Sequence, residues 1–336
     1  MRKYRALALA MGAALALSAC GNDEEVPSPS AAPVEARPAI STERFADAQN
    51  SIFESVEEAD AEMDSDALSA RTVGPFTQIR SAEYQLKEIL ADSYGLERIS
   101  SSPVQTVISP AGEYPHSAIS IMDAPQGSNL QTIDVFQQNS ARDNWALWGV
   151  LDILPGATIP ALAVSDGSGQ PVDAESAEGL VASPKEVLEA YSSLSETGSD
   201  SKDLNFLDDR LRQTLRGGKE ANIAAVEGAG EVEMLYTPGE EGIVSFATDD
   251  GGALVVGQMD FNTKIHVTTE GATIKLGSTI GTLGTGEAGG EIEVSGTLEA
   301  NYTVLVAFHV PAADSDDDAI QVVGASDPIL LSVKNG

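Results

Sequence analysis

The sequence predicts an α+β protein with two tandem domains, each built from helices packed on a curved antiparallel sheet. Two observations support this fold class. In two separate parts of the chain, apolar residues recur every three or four positions, which is typical of amphipathic helices. Each of these parts is followed by segments in which apolar and polar residues alternate, as they do in half-buried strands. The order of helices and then strands therefore occurs twice, which favours α+β domains.

The first predicted domain covers residues 41–162. Its opening helix has an acidic outer face, and Ser41 or Thr42 caps its start. The apolar stripe of this helix consists of Phe45, Ala48, Ile52, Val56, Ala59 and Met63. After a second helical pattern through Tyr84 and Leu90, the period changes to two. Strands are then predicted at residues 105–109, 117–122, 130–137 and 144–154.

Residues 163–182 are predicted to be a linker because they are rich in Gly, Ser and Asp. The second domain, residues 183–336, opens with the capping-box pattern of Ser183 and Glu186. A second helix with leucines in register is expected to stop at Gly217-Gly218.

The rest of the second domain is predicted to consist of strands. Alternating patterns place these strands at residues 253–268, 297–310 and 320–333, and Asp327-Pro328 indicates a bend in the last of them. The glycine-rich residues 277–290 are expected to connect two strands without opening a helix. Helices against a curved antiparallel sheet are similar to the cone of the cystatin and NTF2-like folds, which is a likeness of fold and not of function.

The N-terminus has the pattern of a bacterial lipoprotein signal. Arg2, Lys3 and Arg5 precede a short apolar run that ends in Leu17-Ser18-Ala19-Cys20. This run is too short to span a hydrocarbon core of about 30 Å as a helix. We therefore expect residues 1–19 to be removed and Cys20 to carry the lipid. Residues 20–40 contain four prolines and are expected to form a flexible tether.

Charge and cysteine content exclude several classes of function. Without residues 1–19 the chain has 19 − 3 = 16 basic against 52 acidic residues, a formal charge of −36. Such a surface repels nucleic acid, so no nucleic-acid partner is expected. It also repels anionic lipid, so contact with the membrane is expected through the anchor alone. Cys20 is the only cysteine, which leaves no disulfide, thiolate nucleophile or cysteine metal site in the body of the protein.

No motif for catalysis, a metal or a cofactor is recognised, and two groups of residues stay as candidates. Asp260, His266 and His309 would form an acid–base site if their strands pair, although solvated histidines on a sheet are the simpler interpretation and the one we favour. Arg212 and Arg216 would bind an acidic partner, although basic residues in the C-terminal half of a helix also complement the helix dipole.

Several short motifs between residues 41 and 200 resemble a family of actinobacterial exported lipoproteins that carry a domain of unknown function. These motifs are Arg71-Thr72-Val73-Gly74-Pro75, Arg80-Ser81-Ala82-Glu83-Tyr84, Leu147-Trp148-Gly149, Leu154-Pro155-Gly156 and Ser183-Pro184. The resemblance implies class and location but no activity, and it assigns no site residue.

The sequence thus predicts a lipid-anchored protein on the extracytoplasmic face of the cell membrane. We expect a non-catalytic binding or scaffolding module that recognises an envelope protein or peptide through a sheet face or a concave surface. A solute-binding lipoprotein and an envelope enzyme using Asp260, His266 and His309 are the alternatives.

Overall fold

Six helices form in residues 37–199 and 203–336, which are the residues that the computed structural model describes. The helices are α1 (Thr42–Glu62), α2 (Ser65–Leu68), α3 (Gly74–Leu90), α4 (Pro184–Thr197), α5 (Arg210–Ala225) and α6 (Ser278–Thr285). The predicted signal, Cys20 and most of the predicted tether lie outside the described residues. None of the described helices combines the length and apolar character that crossing a membrane requires.

The helix starts follow from local capping chemistry. The Ser41 side chain accepts a hydrogen bond from the Arg44 N–H at 3.4 Å, which confirms Ser41 as the cap of α1. Ser183 and Glu186 form the predicted capping box at the start of α4. Pro75 occupies the first turn of α3, where its missing N–H costs no helical hydrogen bond.

Thirteen strands are present in the described residues. They are β1 (Pro103–Ile108), β2 (His116–Met122), β3 (Thr132–Gln138), β4 (Ala146–Ile153), β5 (Val164–Ser165), β6 (Ser168–Gly169), β7 (Gly230–Ala247), β8 (Ala253–Val267), β9 (Ile274–Leu276), β10 (Ile292–Val294), β11 (Thr297–Val310), β12 (Gln321–Ala325) and β13 (Ile329–Asn335). Nine of them form one antiparallel sheet in the order β1-β2-β3-β4-β12-β11-β8-β7, with β13 also paired to β11. The prediction of helices with a large antiparallel sheet is therefore confirmed.

The sheet curls around an apolar core until its first and last strands approach each other. Val107 of β1 and Phe246 of β7 both pack so closely against Gly169 that a Cβ at this position would clash with both side chains. The inward residues of all eight strands in the order belong to one buried cluster, which Trp148 and Ile79 extend toward α3. The short β5–β6 hairpin, inside the predicted linker, closes the gap between β1 and β7.

The two-domain layout and the cone are not confirmed. Strand β4 of the first predicted domain pairs with β12 of the second, at Ile153 with Gly324 and Asp152 with Ala325. The sheet is therefore continuous across both halves, and all described residues belong to one compact unit. Local alternation reveals each strand but not its neighbour, which explains why the sequence suggested two separate sheets.

Three local predictions in the C-terminal half were wrong. Helix α5 continues through Gly217 and Gly218 to Ala225 instead of stopping at them. The predicted connection at 277–290 contains α6, which packs Ile280 into a buried cluster with β9 and β10. The predicted single strand at 320–333 is divided into β12 and β13. In each case tertiary packing overrides weak local propensity.

One face of the C-terminal part of the sheet is covered by helices and the other is polar. Buried residues of β8 such as Met259 and Phe261 pack against α4 and α5, and Ile265 packs against α6. On the opposite face, Asn262 donates a hydrogen bond to Asn301 at 2.8 Å, and Asn301 donates one to Ser332 at 3.0 Å. The helix-covered side and the polar side of this sheet therefore present two different kinds of surface to a partner.

Candidate binding groove

The structure does not bring the predicted acid–base residues together. Strands β8 and β11 do pair, but His266 lies opposite Thr297 while His309 lies opposite Leu254. The histidines are thus 266 − 254 = 12 positions apart along β8, or about 40 Å at about 3.4 Å per residue. Strand pairing alone was not sufficient, because the register sets the two side chains at opposite ends of the ladder.

Each of these residues has a local partner instead. His266 Nδ1 lies 2.8 Å from Thr297 Oγ1 in an exposed position. Asp260 accepts a hydrogen bond from the Gln258 side chain at 2.9 Å. His309 Nε2 lies 3.1 Å from Asp250 Oδ2, without the angle of a hydrogen bond. These contacts are typical of residues that stabilise a sheet surface.

Arg212 and Arg216 lie in the first half of α5 and not, as the sequence suggested, in the C-terminal half, because the helix continues past Gly217-Gly218 to Ala225. The helix dipole therefore does not explain them, and nearby carboxylates neutralise them. Arg212 Nε donates to Asp209 at 2.7 Å, and its Nη2 donates to the Leu207 carbonyl at 2.7 Å. Arg216 lies 3.9 Å from Asp208, whose pKa is lowered by a hydrogen bond from Gln213 and by these cations. This arrangement supports the helix start more directly than it offers a site for an acidic partner.

An opening to solvent lies between helices α3, α5 and α6. It has a volume of about 690 Å³ and is lined by the end of α3, one side of α5, the start of α6 and the start of β13. Its apolar walls include Leu86, Leu90, Ile280, Ile329 and Leu330. We call this opening the α3–α5–α6 groove. Its volume and its mainly apolar lining are those of small-ligand sites, which occupy about 300–1,000 Å³.

One side of α5 forms a wall of the groove through residues three and four positions apart. These are Gly218, Ala221, Asn222 and Ala225. All but Asn222 have small or no side chains, so the helix backbone borders the opening closely. A Cβ at Gly218 would meet no atom within 4 Å, so the glycine keeps open a space that a side chain would fill. Glycine inside a helix costs about 1 kcal/mol relative to alanine.

Polar groups are confined to a few positions in the groove. Tyr302 stacks on Phe261, with ring centroids 4.7 Å apart, and burial raises the pKa of Tyr302 to about 12. Tyr94 also has a pKa raised to about 12, first by burial and then by the charge of Glu83. Asp327 and Lys275 lie in the lining as its charged groups. The groove therefore combines an apolar surface with a few groups that can orient a bound molecule.

A buried ionic network lies under the 91–99 segment that contains Tyr94. Arg80 is 1% exposed, and its Nη1 donates to Glu83 at 2.8 Å while its Nη2 donates to the Glu97 carbonyl at 2.9 Å. Its Nε lies 3.4 Å from Asp60, which also accepts a hydrogen bond from the Tyr84 hydroxyl at 2.7 Å. The network fixes the end of α3, and hence Leu86 and Leu90, against the following segment.

Carboxyl groups around this network have raised pKa values. Burial, and then the charges of Glu83 and Asp152, raise the pKa of the half-buried Glu97 to about 8. Burial also raises the pKa of Glu83, although Arg80 opposes the change. In the neighbouring sheet, burial raises the pKa of Asp134 to about 7. Such groups accumulate at functional sites and in structural ion networks alike.

In residues 37–199 and 203–336, no three His, Cys, Asp or Glu side chains are arranged so that they could hold a metal ion. The fold and groove define a mixed α/β protein with a large antiparallel sheet and an apolar groove between helices.

The family described as "Domain of unknown function (DUF8094)" matches residues 36–326. The chain therefore belongs to this family. No curated protein and no solved structure is detectably similar to it.

Sequence reasoning missed the groove and the ionic network. Gly217-Gly218 was the available signal for the groove, because glycines within a helical pattern mark a close approach or an open space as often as an end. Arg80 and Glu83, three positions apart on a mostly apolar helix, were the signal for the network. Residues from α3, α5, α6 and β13 meet only through tertiary structure, so no spacing in the sequence indicates the complete groove.

Proposed function

We propose that this protein is a lipid-anchored, extracytoplasmic binding module that holds an apolar segment of an envelope protein or peptide in the α3–α5–α6 groove. The groove is the observation that carries this proposal. It is open to solvent, its volume is about 690 Å³, and apolar side chains form most of its walls. Exposed concave apolar surfaces are a common feature of sites for partners and ligands.

The position of the module in the cell follows from the first forty residues. The basic n-region, the short apolar run and Cys20 support export and lipidation. The Pro-rich residues that follow would hold the folded part near the membrane while leaving it free to turn. Stable anchoring requires more than one acyl chain, which a lipoprotein cysteine supplies. Lipidation, export and an actinobacterial source are parts of this proposal.

The groove is tested by filling it. Gly218→Leu places a side chain in the opening, and Gly217→Leu is the matched control because Gly217 does not line the groove and a Cβ there also meets no atom. Leucine favours helix more than glycine, so neither variant should lose stability through α5. In pull-downs from intact cells, we expect Gly218→Leu to lose the partner and Gly217→Leu to retain it. Equal recovery with both variants contradicts binding in the groove.

The anchor is tested separately with Cys20→Ala. We expect this variant to leave the membrane fraction, whereas the unchanged protein stays there and incorporates labelled fatty acid. A soluble form starting at Gly21 should still recover the partner, because the groove lies in the folded part. Membrane retention of Cys20→Ala would contradict lipid anchoring at this residue.

Solute binding is a second candidate function, and the same cavity volume favours it. A thermal-stability screen of the soluble form against small amphipathic molecules tests it, with Gly218→Leu as the variant in which the shift should disappear. The enzyme alternative has less support, since the strand register separates His266 from His309.

A further inference from the structure

The opposite side of α5 borders a second opening, at the edge of the main sheet. This opening has a volume of about 730 Å³ and lies between α5 and the start of β7. Residues of α5 line it at positions 220, 223 and 224, whereas positions 218, 221, 222 and 225 line the groove. Helix α5 therefore separates two surfaces. We call the second opening the β7 edge cleft.

Strand β7 is the last strand in the sheet order, and its second half is bonded to residues 170–172 through Ser245 and Ala247. Only its first half therefore has one side without a paired strand. On that side the Gly230 N–H donates to the Val226 carbonyl at 3.0 Å, and the Tyr236 N–H points to Glu196 at 3.4 Å. In an antiparallel ladder alternate residues face the same side, so Val232 and Met234 also direct N–H and C=O groups outward. These groups can pair with an added strand.

The lining of the cleft combines apolar and acidic side chains. Ile223 is 48% exposed in the cleft, and Leu235, the next outward residue of β7 after Glu233, is 56% exposed. Four carboxylates line the same opening, from Glu220, Glu227, Glu231 and Glu233. Among the described residues no cation forms an ion pair with any of the four.

We propose that the β7 edge cleft binds an extended basic polypeptide segment, which adds to the sheet as a short strand beside Val232–Met234, between the N–H groups of Gly230 and Tyr236 that are already bonded within the chain. Lysine or arginine side chains at alternate positions would meet the four carboxylates, and the apolar residues between them would contact Ile223. The proposal rests on the proposed binding function but uses a different surface of the molecule. Pairing of β7 with a second copy of this chain is disfavoured, because it would place Glu231 and Glu233 of both copies together.

The experiment uses the soluble form and three labelled nine-residue peptides at 150 mM salt, with binding followed by fluorescence anisotropy. One peptide alternates Lys and Val, one alternates Lys and Pro, and one alternates Glu and Val. We expect the Lys–Val peptide to bind at least tenfold more tightly than the Lys–Pro peptide, which has equal charge but lacks half of its backbone donors. The Glu–Val peptide should not bind.

Charge reversal locates the site. We expect Glu231→Lys combined with Glu233→Lys to weaken the Lys–Val peptide at least tenfold. Glu113→Lys with Glu287→Lys makes the same change of net charge at exposed positions outside the cleft, and should alter affinity less than twofold. Hydrogen exchange should show new protection at Val232 and Met234 on binding.

Three outcomes would overturn the proposal: equal binding of the Lys–Val and Lys–Pro peptides, equal effects of the two charge reversals, or protection of the β7 edge through self-association alone, as measured by sedimentation. Gly218→Leu fills the groove and not the cleft, so it should leave peptide binding unchanged. Failure of the groove and failure of the cleft are thus measured independently.

Discussion

Two arginines in this protein form similar networks in different surroundings. Arg80 lies beside Glu83 and Asp60, and Tyr84 donates a hydrogen bond to Asp60. Arg212 lies beside Asp209 and Asp208, and Tyr191 donates a hydrogen bond to Asp209 at 2.9 Å. The side chain of Arg80 is 1% exposed, whereas that of Arg212 is 15% exposed.

The two networks differ in how far water reaches their polar groups and can replace their hydrogen bonds. Around Arg80, burial raises the pKa of Glu83, so desolvation disfavours the charged carboxylate by more than the neighbouring Arg80 favours it. Around Arg212, hydrogen bonds and cations lower the pKa of the exposed Asp208. The same three residue types therefore act as a buried support under α3 and as a helix start at α5. Loss of one member should have unequal consequences.

The largest effect is expected from Arg80→Met. This change leaves Glu83 and Asp60 without their cation in a buried position, which typically costs about 3–5 kcal/mol. Arg212→Met should cost about 1–2 kcal/mol, because water reaches part of its network. Urea unfolding of both variants measures the two free energies. Equal losses would show that burial does not distinguish the networks.

A pH effect of intermediate size should come from Glu97. Its pKa is about 8 in the folded protein against an ordinary 4.5, and that of Asp134 is about 7 against 3.8. Between pH 5 and 8 the unfolded chain has already released these protons while the folded chain still holds them. The free energy of unfolding should therefore decrease as the pH rises through this range.

In the Glu97→Gln variant this position no longer titrates, so the contribution of Glu97 to the pH dependence of stability is removed. We expect the decrease between pH 5 and 8 to become smaller by about 1–3 kcal/mol, allowing for the partial exposure of Glu97. The matched control is Glu88→Gln on the exposed side of α3, which should leave the pH profile unchanged. Thermal unfolding at several pH values measures both. A Glu97→Gln profile that coincides with the control contradicts the raised pKa.

For the two tyrosines we expect the opposite order of stability losses, with the larger loss in the network of Arg212. The hydrogen bond from Tyr191 ends on Asp209, which is 4% exposed, while that from Tyr84 ends on Asp60, which is 25% exposed. Tyr191→Phe should cost about 1–2 kcal/mol and Tyr84→Phe about 0.5–1 kcal/mol, because water can replace only the second bond. Denaturation curves decide the order. A larger loss for Tyr84→Phe would show instead that the stability loss at each tyrosine follows the loss at the arginine of the same network.

The smallest effect is expected from Arg216→Ala. Its guanidinium is 3.9 Å from Asp208, and both side chains are more than half exposed. Exposed ion pairs contribute about 0–1 kcal/mol, so we expect a change below about 0.5 kcal/mol at physiological salt. Unfolding curves at low and high salt measure it. A loss as large as that of Arg212→Met would give Arg216 a structural role that its exposure does not suggest.

Local patterns predicted most elements of this fold. Ser41, the capping box at Ser183 and the alternation in β8 and β11 each act through neighbours within a few residues, which a sequence displays directly. The strand order was not predictable in this way. Pairing of β4 with β12 depends on the packing of the whole core, and alternation is the same whichever strand becomes the neighbour.

The candidate sites were less predictable for the same reason. The register of β8 against β11, rather than their pairing, decides that His266 and His309 stay apart. The groove depends on how α3, α5 and α6 are placed, and Gly218 acquires its meaning only from that placement. The ion pair of Arg212 with Asp209 lies within one helical turn, but it was also missed, because the helix was expected to stop at Gly217-Gly218 and Arg212 was therefore placed in its C-terminal half.

The pairing of β4 with β12 also bears on how the chain reaches its native state. Residues 71–73 bond to the second edge of β4 at Leu147, but the rest of that edge is paired only when residues 321–325 have been synthesised. Until then the first four strands have an open edge beside β4, which is the kind of surface that chaperones protect. Contacts between such distant residues slow folding, since a long loop must close before they form. The main sheet therefore cannot be completed before residues 321–325 have emerged.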